Sequence, residues 1–315
     1  MNRIGEKIRQ KLGIKKDLIR ELLAECLGTF FLVFIGNSAN VQAAAAPGGN
    51  STSCHIAWGI GFMFAVFMAN SVSGAHLNPA ISLAQFVLGN FPVWKVVPYT
   101  IAQLIGAYLG AAVTYFGHHD DLWRIDGGNR QVGGPQDTAG LFTSFPPAHM
   151  SVWGSLLDQI IGTAMLSGLI CVVTDKRNRI PSQYAPVIIG SIMTLVAMTY
   201  GANVAFAINP ARDLGPRLFL LTAGYGLETF NWRGGWMWWV GIVGPYIGAL
   251  LGAWIYKIFV GLHGDHDSYD IDRPKGQGHS VSVPVGGYQT NGHHTNGHHA
   301  PSSYDHSTPM QRFNR

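Results

Sequence analysis

The sequence predicts an all-α membrane protein, with six transmembrane helices and two re-entrant half-helices arranged as the two halves of an inverted repeat. Three observations predict it. Charged residues make up 12% of the 315 residues and hydrophobic ones 47%, about half the charge of an ordinary soluble domain. Six apolar stretches approach the roughly 20 residues that a spanning helix needs. The tripeptide Asn-Pro-Ala occurs twice, at Asn78-Pro79-Ala80 and Asn209-Pro210-Ala211, each time heading a shorter apolar stretch.

The charge deficit excludes several classes. A soluble surface with so few charges would leave large apolar patches, so a soluble enzyme, a collagen-like chain and a disordered protein all fail. The net charge of +4 is not a nucleic-acid footprint, because seven of the 21 Lys and Arg residues lie before residue 21, beside an apolar segment. A nucleic-acid binder carries its basic face on a folded domain; here the expected partner is the lipid bilayer. The three cysteines, Cys26, Cys54 and Cys171, are far apart and lack metal-ligand spacing, and read as small buried hydrophobes. No cofactor or resident metal is expected. The charged first 20 residues and the long apolar run after them do not form a signal peptide.

In chain order the spans are Leu22–Gln42, Ile56–Ser73, Val96–Gly117, Leu156–Thr174, Pro186–Val204 and Trp236–Tyr256. Glu25 is the acid within the first, and Asp158 and Asp175 are read as framing the fourth. An even count puts both termini on one side. The basic N-terminal run, Lys176-Arg177-Asn178-Arg179 and Lys257 fall on that side, which the positive-inside rule makes cytoplasmic. Two shorter stretches, Ala80–Leu88 and Ala211–Leu221, are each about half a membrane thickness if helical. Irregular backbone at membrane depth is tolerated where it lines a cavity or is buried in protein, so both are read as re-entrant.

The chain repeats itself. Ile105-Gly-Ala-Tyr-Leu-Gly-Ala111 in the third span matches Ile247-Gly-Ala-Leu-Leu-Gly-Ala253 in the sixth, and Gly28-Thr29 in the first matches Gly162-Thr163 in the fourth. Each half is span, span, half-helix, span. Three spans per half is odd, so the second half sits inverted, with the substrate path expected at the repeat interface. The repeated glycines allow close helix approach.

Asn is a strong N-cap and Pro is favoured at the first helical position, so one Asn-Pro-Ala is an ordinary helix start. Two copies at matching points of an inverted repeat are more than that. Helix N-termini aimed at one point concentrate about half an elementary charge each and repel cations and protons. The Asn78 and Asn209 amides can donate to the oxygen of a passing water or alcohol.

With these residues in view, the chain from about 18 to 262 resembles the major intrinsic protein family, the aquaporins. Asp213 and the run Asn209-Pro-Ala-Arg-Asp-Leu-Gly-Pro-Arg217 resemble its glycerol-conducting branch, the aquaglyceroporins. The resemblance implies half-helices meeting end to end at the midplane, one pore per subunit and a homotetramer in the cell membrane. It divides the chain into a basic cytoplasmic N-terminus (1–20), a channel domain (21–262, with halves at about 21–117 and 152–262) and a cytoplasmic His/Gly-rich tail (263–315). It also implies a selectivity filter of Arg212, Trp58, Phe206 and Ala197. Arg212 brings a rigid fork of donors suited to two hydroxyls, and a lone Arg at membrane depth is a functional candidate. Trp58 lies twenty residues before Asn78 and Phe206 three before Asn209; they match the aromatic corner that would take a polyol's CH groups. Ala197 stands where water-selective members carry His, and departs from the Gly common in the glycerol branch.

Supporting roles follow from the same resemblance. Glu25 and its counterpart Gln159, where many members carry Glu, are expected to brace loop carbonyls. Asp213 is read either as pairing with Arg217 one turn on or as a solvated pair. His76, at the cytoplasmic pore mouth, is read either as a titrating group giving modest pH sensitivity or as a neutral His bonded to backbone. A flat flux–pH curve from about pH 5 to 8 removes the first of these. Asn50-Ser51-Thr52 matches a glycosylation acceptor. The tail's His pairs, as in Asn291-Gly-His-His-Thr-Asn-Gly-His-His299, read as disordered low complexity.

The expected function is a passive channel for glycerol and water, with urea and other small neutral solutes as further candidates, excluding ions and protons. One alternative on the same fold is a strictly water-selective channel, against which Ala197 and Asp213 argue. A second is an ion-coupled secondary transporter, which needs titratable groups at the midplane that the spans scarcely supply. Enzyme chemistry is not expected, since the interior carries no carboxylate pair or Ser–His arrangement.

Overall fold

The structure, a computed structural model, describes residues 13–264, all within one unit of the chain. The tail beyond them, with its His pairs, lies outside the described residues. Ten α-helices follow one another among them: α1 Asp17–Ala45, α2 Ser51–Ser73, α3 Pro79–Val87, α4 Val93–Gly117, α5 His119–Asp126, α6 Val152–Thr174, α7 Ala185–Val204, α8 Pro210–Thr222, α9 Glu228–Asn231 and α10 Met237–Phe259. They include no strand, only an isolated bridge between Gln131 and Asp137. α3 and α8 are the two half-helices, and the six long helices, α1, α2, α4, α6, α7 and α10, are the spans. Five of these are long and apolar enough to cross a membrane, and α1, at 29 residues, packs beside them on α2 and α4.

Several helices start earlier than their apolar stretches. An apolar run ends where the hydrocarbon ends, whereas a helix continues into the headgroup layer. At about 1.5 Å per residue, α1 is roughly 44 Å long, close to a bilayer with its headgroups. Its added first turn carries Asp17, paired with Arg20, and Glu21 binds Lys95 at 2.7 Å. Local caps set other starts: Asn50 Oδ1 accepts from Ser53 N at 3.0 Å before α2, and Ser151 Oγ accepts from Gly154 N at 3.0 Å before α6. Asp158 does not frame a span. It lies inside α6 and is buried.

The inverted repeat governs the packing. The pair α1–α4 in the first half corresponds to α6–α10 in the second, and α1–α2 to α6–α7. At Gly106 a Cβ would lie 2.2 Å from the Cys26 carbonyl oxygen, and at Gly248 one would lie 2.3 Å from that of Ile160. The half-helices are exchanged: α8 packs on α4 of the other half, and α3 on α10. Large apolar side chains stay exposed at four-residue intervals along outer faces, as at Leu23 and Leu27, Ile101 and Ile105, Leu157 and Ile161. Such stripes suit lipid or a neighbouring apolar surface, not water.

Between α4 and α6 the chain forms a folded cover, anchored by Asp126. Its carboxylate binds Arg130 Nη1 with both oxygens at 2.8 Å and accepts from Thr138 Oγ1 at 2.8 Å. Burial pushes this carboxyl up, but Thr138, the Gly128 amide and Arg130 together hold it below the usual carboxylate range.

Candidate functional site

The two Asn-Pro-Ala segments meet in the interior. Asn78 Oδ1 accepts from Ala80 N at 2.9 Å and so caps α3. Asn209 Oδ1 accepts from Ala211 N at 3.0 Å and Arg212 N at 3.2 Å and so caps α8. With the oxygens turned to their own helices, the NH2 groups face the opposite repeat. Asn78 Nδ2 donates to the Ile208 carbonyl at 3.0 Å, and Asn209 Nδ2 to the Leu77 carbonyl at 2.8 Å. Each NH2 carries two hydrogens, and these contacts use one.

The loops leading into both caps are strained. Ala75 and Leu77 have φ of 51°, and Phe206 and Ile208 have φ of 38° and 34°, in a region that costs non-glycine residues of order 1–2 kcal/mol each. Glu25 holds the first loop. Its carboxylate accepts from His76 N at 2.9 Å, Leu77 N at 2.7 Å, Ser73 Oγ at 2.6 Å and Gln103 Nε2 at 2.8 Å. In the second loop Gln159 Oε1 accepts from Ile208 N at 2.8 Å. The expectation that these side chains brace carbonyls is therefore corrected. An ionised carboxylate can only accept, so it grips amide N–H groups and leaves the carbonyls free for the asparagines.

A second cluster lies beside α8. The Trp58 and Phe206 rings meet edge to face, with centroids 5.6 Å apart and planes at 87°. The Arg212 guanidinium carbon sits 4.7 Å from the Trp58 ring centre and 5.6 Å from that of Phe206. Arg212 Nη2 is 3.5 Å from the Ala205 carbonyl, while Nε and Nη1 have no partner among the described residues. Ala197, on α7, is buried in the same apolar cluster as Trp58 and Phe206. Trp58, Phe206 and Arg212 are thus brought together.

Two neighbours were missed from the sequence. His55, one turn before Trp58, meets Phe206 edge-on at 5.6 Å. Asn40, on α1, accepts from Trp58 Nε1 at 3.0 Å and from Cys54 Sγ at 2.8 Å, and donates through Nδ2 to the Leu141 carbonyl at 2.8 Å. A polar residue interrupting an apolar span was the available signal for Asn40.

Around this cluster the covering loop closes on Asp213, which accepts from Thr143 Oγ1 at 2.7 Å, from Ser144 N at 2.9 Å and from Ser144 Oγ. Arg217 Nη2 pairs with Asp213 at 3.2 Å, both side chains 1% exposed, and also donates to the Ser144 carbonyl. The solvated-pair reading is excluded by this burial. At the opposite end His76 lies against Phe91 and Tyr99, with Nδ1 3.1 Å from Ser82 Oγ; its ring meets a side-chain hydroxyl, not backbone. Below it opens a cavity of about 460 Å³, lined among others by Ala75, His76, Ile81, Cys171 and Tyr256. Asn50 is exposed, and its cap uses Oδ1.

Comparison with known proteins identifies the relatives of the chain. The family model described as "Major intrinsic protein" matches residues 14–256. Human Aquaporin-10 is 39% identical over 255 residues, covering 80% of this chain and 84% of its own. Aquaporin-10 of the tardigrade Milnesium tardigradum is 40% identical, over 82% of this chain and 67% of its own. Human Aquaporin-9 is 35% identical, over 82% and 88%. Among solved structures, the aquaglyceroporin from Plasmodium falciparum superposes with a TM-score of 0.70 at 29% identity, covering 78% of this chain and 98% of that one.

Proposed function

The chain belongs to the major intrinsic protein family, and from that membership and the geometry of the site we infer that it is a passive transmembrane channel for glycerol and water. The observation that carries this reading is the reciprocal capping at the midplane. Asn78 and Asn209 each spend one amide hydrogen on the opposite loop, and the second can be donated to a passing oxygen. A molecule bound there keeps its own hydrogens pointed away, which interrupts a proton wire. The paired N-termini of α3 and α8 add about half a positive charge each and disfavour cations. The permeant is not chemically altered.

The filter gives the solute preference. Arg212 presents buried donors at Nε and Nη1 that have no partner among the described residues, suited to adjacent hydroxyl groups. Trp58 and Phe206 offer apolar faces to the carbon side of a polyol, and Ala197 leaves room that a larger residue would fill. Urea, which is small, neutral and rich in hydrogen-bonding groups, fits the same requirements. Lys176 and Lys257 line the same cavity as His76 and support a cytoplasmic assignment of that side, with both termini on it and the protein in the cell membrane. Assembly as a homotetramer with one pore per subunit completes the reading.

Proteoliposomes carrying the protein, followed by stopped-flow light scattering under sucrose and glycerol gradients, test it. Rapid shrinkage in sucrose, and shrinkage with reswelling in glycerol, are expected. Shrinkage without reswelling in glycerol would indicate a water-selective channel, and uptake dependent on a proton gradient a coupled transporter.

A further inference from the structure

The two repeats brace their strained loops by different means. In the first, the Glu25 carboxylate alone takes the His76 and Leu77 amides, and the residue before it is Ala24. In the second, the amide of Gln159 does the bracing and the residue before it is Asp158. Gln159 Nε2 donates to Asp158 Oδ2 at 2.9 Å, and Asn203 Nδ2 donates to Asp158 Oδ1 at 2.7 Å. Asp158 is 5% exposed and Gln159 fully buried.

A glutamine amide has an oxygen end and an NH2 end of nearly the same shape, so its own form does not decide which end meets Ile208 N–H. A neighbouring carboxylate does decide it. An ionised Asp accepts only, so it draws the NH2 end and leaves Oε1 toward Ile208. The reverse setting would place NH2 against N–H and bury donors without acceptors, at about 1–3 kcal/mol each. Ile208 is the residue where a lapse matters most. It is β-branched at a φ of 34°, an outlier conformation for such a residue, and its carbonyl is the one that receives Asn78.

We propose that Asp158 is a positioning residue for conduction: it fixes the orientation of the Gln159 amide, which holds the Ile208 N–H and, through the carbonyl of the same residue, the Asn78 side chain. Asp158 and Gln159 together do in the second repeat what Glu25 does in the first. Asn203, in the last turn of α7, is held by the same carboxylate, so the start of the loop is tied to its end. The inference rests on the channel reading above.

The test exchanges the two groups. Wild type, Asp158→Asn, Gln159→Glu and the double variant are compared in proteoliposomes for water and glycerol permeability per inserted protein. Asp158→Asn makes both settings of the amide accessible and is expected to lower both permeabilities roughly two- to fivefold, as when the competent setting falls to about a half to a fifth of the population. Gln159→Glu places two carboxylates side by side and is expected to lower them as well. The double variant restores every contact with the acceptor moved by one residue, and is expected to return to within about twofold of wild type. A merely structural role for Asp158 gives no such rescue. Should Asp158→Asn fail to insert, Gln159→Glu against the double variant carries the comparison. A double variant no better than the single ones overturns the proposal, as does wild-type flux in Asp158→Asn. A wild type that passes neither solute removes the channel reading and this inference with it.

Discussion

Asn209 reaches 2.8 Å across the repeat boundary to the carbonyl oxygen of Leu77, and Asn78 returns the contact to Ile208 at 3.0 Å. Each cap is completed by the loop that feeds the other, so neither half-helix can be set without its counterpart. The residues that grip those loops, Glu25 and the Asp158–Gln159 pair, therefore act on the opposite asparagine as well as on their own segment.

The filter reading makes a prediction about solute preference. Ala197→His with Phe206→Cys replaces space by a ring and removes an apolar wall. Glycerol permeability is expected to fall about tenfold, within the range that pocket contacts discriminate, while water permeability changes much less. Stopped-flow scattering measures both, and equal loss of the two would sink the assignment.

Asn40 should tune that preference through Trp58. Asn40→Leu removes the acceptor for Trp58 Nε1 and frees the indole to rotate, so the glycerol-to-water permeability ratio should drop a few-fold, as expected for one lost buried hydrogen bond. Trp58→Phe removes the same bond from the other side. The double variant should show little further loss, and additive effects in this cycle would exclude the coupling.

Gly28 and Gly162 occupy equivalent places behind the two strained loops, but not with equal room. A Cβ at Gly28 would fall 2.6 Å from Leu77 Cδ2, and one at Gly162 would fall 3.2 Å from Ile208 Cγ2. Gly28→Ala is thus expected to lower the melting temperature more than Gly162→Ala, by an overpacking penalty of about 1–3 kcal/mol. Thermal unfolding in detergent decides the order, and the reverse ranking would contradict it.

Breaking the Asp213–Arg217 pair should be severe. Arg217→Met leaves a buried carboxylate without its cation, a change that typically costs about 3–5 kcal/mol. Asp213→Asn combined with Arg217→Met should recover part of the loss. A single variant as stable as wild type in thermal unfolding would show that Thr143 and Ser144 suffice to hold the charge.

Acid stability offers a further check. Arg177 beside Asp175, joined by the Tyr256 hydroxyl, draws the Asp175 carboxyl down to about 2 against burial. Its folded value lies below the unfolded value near 4. The stabilisation is therefore complete above about pH 4 and lost as pH falls toward 2. The gap in melting temperature between wild type and Asp175→Asn should stay level from about pH 8 to 5 and narrow below about pH 4. A gap that widens in acid would reverse the sign.

Much of this architecture was legible in the amino-acid order. Spans, half-helices and inversion followed from apolar length and from glycines that recur where backbones touch, because such contacts tolerate no Cβ. The asparagine pair was legible for the same reason: capping chemistry is local. What escaped was set by distance along the chain. Asn40 touches Trp58 and Leu141 only after folding, and no spacing rule announces it. The direction of the Glu25 contacts was misjudged because acceptor chemistry was read against the wrong backbone group. The helix starts ran past their apolar limits because charged first turns suit the interface while looking like loop.

The exchange of half-helices also bears on how the chain is made. The docking partner of α3, which ends at Val87, is α10, which is complete only at Phe259. At a synthesis rate of about 5–20 residues per second, α3 waits roughly 10–30 s before its final neighbour exists. During that interval a nine-residue apolar half-helix, too short to span, is left without its capping partner. Biogenesis of the first repeat is thus finished from the second, and truncations after α4 should leave spans that insert but a pore that never forms.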